Sequence, residues 1–102
     1  MNLVLMIFFA IATPNVVDVS AKRFEFTPKE IHLRAGEPVT IRLSSTDRAH
    51  GLLIKELGVD LDADLDHPDT VTITPKAGVY PAICDHYCGA GHGNMKMTVI
   101  VE

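Results

Sequence analysis

Two cysteines, a histidine and a methionine fall in one short run as Cys84, Cys88, His92 and Met95. Thiolate, imidazole and thioether together suit copper: sulfur donors favour Cu(I), and a cysteine-histidine set with a weak methionine is the ligand type of electron-transfer copper. The bland alternative is a disulfide, the commoner fate of two cysteines in an exported chain. A crosslink over so short a segment would constrain little of the unfolded chain, however, and it would leave the downstream histidine and methionine without a role. The spacing therefore favours a metal.

The geometry of the run follows from distance. On a helix these positions would share a face, but a rise of about 1.5 Å per residue would hold Cys84 and His92 roughly 12 Å apart. Two ligands of one metal must approach within roughly 4.5 Å. Gly89, Gly91 and Gly93 also weaken a helix and permit the positive φ values of a tight loop. The run is thus expected to be a loop. A further ligand should come from elsewhere, and His50 is the natural candidate, because it opens an apolar stretch after the polar residues 44–48 and is followed by Gly51. A site built from two separated segments is held by the scaffold.

That scaffold reads as strands. Val17, Val19, Phe24 and Phe26 fall in a first extended run, and Ile31 and Leu33 alternate with His32 and Arg34 before a turn at 35–38. Val39, Ile41 and Leu43 alternate with polar residues, 49–54 is short and apolar, and Val59, Leu61, Ala63 and Leu65 alternate with aspartates. Val71 and Ile73 alternate with threonines, Val79 leads into the cysteine loop, and Met97 to Val101 closes the chain. About eight short strands, with no convincing helical period, predict an all-β antiparallel sandwich or Greek-key barrel. The loop would then sit at one end of it, between the strands at 79 and 97.

At 102 residues and 47% apolar, the chain makes one small domain, expected over residues 13–102. Residues 1–12 carry no charged side chain, are too short to span a bilayer, and read as a signal-like or anchor remnant with Ala10 and Ala12 at a small-x-small step. An extracytoplasmic, periplasmic setting follows, with membrane association through that segment or a partner. A net charge of -4 argues against nucleic acid. His32 and His67 read as surface histidines and Met97 as core. Asp60, Asp62, Asp64, Asp66 and Asp69 read as a solvated face that discourages edge pairing, with docking of a basic cytochrome or a hard cation as the sharper alternatives.

The loop pattern Cys-x3-Cys-x3-His-x2-Met, with a histidine opening an earlier strand, resembles the binuclear CuA site of cytochrome c oxidase subunit II and nitrous oxide reductase. Phe24, Phe26, Pro28, Ile31, Leu33, Gly36 and Val39 are similar in spacing to the opening strands of these cupredoxin domains. The resemblance covers residues 16–102. It implies a cupredoxin-like fold in which Cys84 and Cys88 bridge two coppers and His50 and His92 each supply an imidazole. Met95 would be a weak axial donor, and the backbone carbonyl of His86 would serve the other copper. His86 stands where oxidase relatives often carry Glu or Gln, and the chain has no Trp for electron entry.

The function so implied is one-electron transfer between redox proteins such as a c-type cytochrome and an oxidase or reductase. The chain shows no substrate-activating set of its own, so it is expected to be a carrier rather than an enzyme. Two other readings use the same residues. One is copper delivery or storage; the other is a mononuclear blue-type site of His50, Cys88, His92 and Met95 with Cys84 a spectator.

Overall fold

A computed structural model describes residues 15–85 and 95–102. Among them the chain forms nine strands: β1 (Asn15–Lys22), β2 (Glu25–Thr27), β3 (Glu30–Leu33), β4 (Val39–Ser45), β5 (His50–Ile54), β6 (Val59–Ala63), β7 (Asp69–Ile73), β8 (Gly78–Ile83) and β9 (Lys96–Val101). They make a four-stranded sheet in the order β2-β1-β4-β7 and a five-stranded sheet in the order β3-β9-β8-β5-β6. The period-two alternation explains why these segments pair as they do: β4 and β6 bury every second residue and turn the others to water.

The two inner faces close on one apolar core. Val19, Phe26, Ile41 and Leu43 come from the four-stranded sheet, and Ile31, Leu52, Ile54, Val59, Leu61 and Val99 from the other. Met97 joins this core, as its place in the alternation predicts.

Three features differ from the sequence expectation. The pairing is mixed rather than antiparallel, because β1 runs parallel to β4 and β3 parallel to β9. The first extended run is a hairpin whose turn carries Phe24, an exposed residue, while Phe26 alone of the pair enters the core. Leu65 lies beyond β6 and is exposed, because Asp64 and His67 bond backbone to backbone in a turn that ends the alternation.

Main-chain bonds at the chain's turns divide the barrel into two poles. At one, Ala35 N–H donates to Glu102 O (2.9 Å) and Gly36 N–H to Pro75 O (2.9 Å), beside the start of β1 at Asn15, which pairs with Val39. At the other, Thr46 N–H donates to Ala21 O (3.0 Å), and β5 begins at His50 opposite Ala63, the last residue of β6.

Candidate metal centre

His50, Cys84 and Met95 meet at this second pole, and the register of the five-stranded sheet brings them there. β5 and β8 are antiparallel with Leu53 opposite Ile83, so the start of β5 lies beside the end of β8. β8 and β9 are antiparallel with Ile83 opposite Lys96, and the pairing extends one step further as Cys84 N–H donates to Met95 O (3.1 Å). That bond ties the two ends of the segment between them. Alternation then sets the facing: His50 shares the inner side of β5 with Leu52 and Ile54, and Met95 that of β9 with Met97 and Val99. His50 is 0% exposed, Cys84 2% and Met95 1%. His86, Cys88 and His92 lie outside the described residues.

The His50 imidazole has one satisfied nitrogen and one unsatisfied. Nε2 lies 2.6 Å from Asp47 Oδ1, whereas Nδ1 is buried and has no hydrogen-bond partner among the described residues. Buried polar atoms in native proteins are almost always paired, and one that is not calls for an explanation such as an ion. Sequence reasoning did not single out Asp47, although an aspartate three residues ahead of a candidate histidine was a usable signal. The local chain folds around Ser45, whose hydroxyl donates to Arg48 O and accepts from Arg48 N–H (3.2 Å) and Asp47 N–H (3.3 Å). Burial works to raise the pKa of Asp47, but the main-chain N–H groups of Arg23 and Arg48 and the His50 imidazole outweigh it, leaving that carboxyl below its ordinary value.

The outer face of the same sheet carries a second cluster. Carboxylate oxygens of Asp60, Asp62 and Asp85 lie within 4.8 Å of one another, all three residues exposed. Sequence reasoning placed the first two on a solvated face but missed Asp85, which only the β5–β8 neighbourhood delivers. Burial raises the pKa of Asp85, and its hydrogen bond and repulsion with Asp60, then repulsion from Asp62, raise it further. This is the signature of crowded like charges, and exposed acidic groups commonly gather without an ion. Gly51 makes room for the cluster: a Cβ there would overlap the Asp85 carboxylate. His32 is exposed and bonds Glu30 (2.8 Å), and His67 is exposed in its turn near Ala49 and Ala63, so neither is buried with His50, Cys84 and Met95.

A small two-sheet barrel thus buries an imidazole, a thiol and a thioether at one pole, donor types that suit a soft metal. The chain belongs to the cupredoxin-like domain family, which matches residues 3–101. It is 33% identical over 92 residues to cytochrome c oxidase subunit 2 of Thermus thermophilus, covering 87% of this chain and 68% of that one. It is 30% identical over 91 residues to nitrous-oxide reductase of Cupriavidus necator, covering 84% of this chain and 14% of the enzyme. Among solved structures, a chain of a heme-copper terminal oxidase dimer superposes with a TM-score of 0.78 at 27% identity, covering 86% of this chain and 65% of that one. The likeness thus takes in most of this chain but only part of each longer relative. No helix among the described residues is long and apolar enough to cross a membrane.

Proposed function

We propose that this domain transfers single electrons through a binuclear, CuA-type copper centre held by His50, Cys84, Cys88, His92 and Met95, with the His86 carbonyl completing the set. The observation that supports it most is the buried His50 imidazole with its Nδ1 unpartnered among the described residues, at the same pole as Cys84 and Met95. An imidazole, a thiol and a thioether are the donor types that copper prefers, so the residues fit the metal.

When bound, a pair of coppers would supply reversible one-electron chemistry. The chain's own part is to hold the donors still and keep water out. His50 is fixed by the start of β5 and by Asp47, Cys84 and Met95 are fixed to each other by their main-chain hydrogen bond, and the near-complete burial of all three keeps the surroundings dry. A donor set that does not rearrange on gaining or losing charge keeps the transfer fast. The domain would serve as the electron-entry part of an oxidase or reductase, with a donor such as a c-type cytochrome and an extracytoplasmic location. Residues 1–12 would act as a leader or anchor ahead of a domain over 13–102.

The test is copper reconstitution of the reduced protein with metal analysis and electron paramagnetic resonance. Two coppers per chain and a spectrum from one electron shared between two nuclei are expected. Replacement Cys84→Ser should abolish the shared-electron spectrum and leave at most one copper. A single copper in the wild-type protein would instead favour the mononuclear reading, and no retained copper would end the proposal.

A further inference from the structure

We propose that Asp47 is a positioning residue for this centre: its carboxylate locks the buried His50 imidazole as the Nε2–H tautomer and so reserves the Nδ1 lone pair for the metal. The inference rests on the reading of His50 as a ligand and adds to it the specific donor atom and the group that selects it.

The argument starts from what each atom can do. An ionised carboxylate only accepts hydrogen bonds, so at 2.6 Å the Nε2 of His50 must donate to Asp47 Oδ1. In a neutral imidazole the proton on one nitrogen leaves a lone pair on the other. That other nitrogen is Nδ1, buried and without a hydrogen-bond partner among the described residues. With His50 fully buried, no bulk water competes for either nitrogen.

Asp47 is itself held from two directions. Its Oδ1 also accepts Arg48 N–H (2.7 Å), and its Oδ2 accepts Arg23 N–H (2.8 Å) from the β1–β2 turn. The carboxylate therefore has a fixed position relative to both sheets, and the ring it grips inherits that position. A histidine oriented in this way by a carboxylate is a stronger donor than one hydrogen-bonded to water, and loss of such a partner typically lowers metal affinity roughly 10- to 100-fold.

The experiment compares wild type with Asp47→Ala and Asp47→Leu, the second similar in size to Asp but without an acceptor and serving if the first does not fold. In the metal-free protein, long-range proton–nitrogen correlation of the His50 ring should report the Nε2–H tautomer in wild type and a mixed or Nδ1–H population in the variants. In the copper-loaded protein, the variants should bind copper roughly 10- to 100-fold more weakly and show a raised reduction potential, because a less basic imidazole stabilises the oxidised state less. A variant with the wild-type tautomer, affinity and potential overturns the role of Asp47 while leaving the copper reading intact. Failure of the wild-type protein to bind copper removes the reading instead, and a wild-type His50 carrying its proton on Nδ1 overturns the inference whatever the metal does.

Discussion

Replacing Leu52 by alanine tests whether the scaffold beneath the candidate centre is as closely packed as its burial states. Leu52 is 0% exposed on the inner face of β5, between His50 and Ile54, with Leu61 as its cross-strand neighbour on β6. The change removes three carbons, worth about 2.4 kcal/mol at about 0.8 kcal/mol each. The cavity left behind adds to that, since two sheets cannot close over a missing side chain without moving both, which gives a total of about 3 kcal/mol. In a domain of this size the loss should lower the melting temperature by roughly 12–24 °C. Urea and thermal unfolding of the metal-free protein, followed by circular dichroism, would measure both quantities. Copper uptake should keep the wild-type stoichiometry, because Leu52 offers no donor. A loss below about 1 kcal/mol would mean that the space around Leu52 collapses or was never filled, and the account of a rigid core under the donors would fall with it.

Asp85→Asn should stabilise the metal-free protein at neutral pH. The raised pKa of Asp85 means that the folded state holds this proton more tightly than the unfolded chain, so its contribution is lost as pH rises from the ordinary carboxylate value through the raised one. The advantage of the variant should therefore shrink to nothing on acidification below that ordinary range; denaturation midpoints that differ equally at pH 7 and pH 3 would refute the cause. Gly58 has φ 67° and ψ 25°, and a Cβ there would meet nothing within 4 Å. Gly58→Ala should thus cost about 1 kcal/mol from backbone conformation alone, and a neutral result in chemical denaturation would contradict this. Met95→Ala should shift the reduction potential while copper is retained, as for a weak axial ligand; metal analysis showing an empty protein would assign Met95 a larger share of the binding.

What the sequence revealed and what it hid divide along the range of the interactions concerned. Alternation in 30–33, 39–45, 59–63 and 96–101 is a local signal, and each of these segments is a strand. The turn at Arg23–Phe24 contains no Gly, Pro or Asn, so the hairpin it makes left no mark and Phe24 read as part of one extended run with Phe26. The parallel partnerships of β1 with β4 and β3 with β9 join segments far apart in the chain, and no periodicity reports such a choice. At the centre, donor types and spacing singled out His50, Cys84 and Met95, whereas the unpartnered Nδ1 and the grip of Asp47 depend on how the 45–50 segment turns. Asp85 joins Asp60 and Asp62 only through strand register.

Asn15, at the start of β1, and Glu102 lie at the pole away from the candidate donors. A surface, resin or electrode coupled to a side chain placed at either of these two positions would therefore hold the molecule upright, donor side outward. Orientation during immobilisation is built into the topology, and a molecule diffusing in from solution would meet the His50 pole without the support in its way.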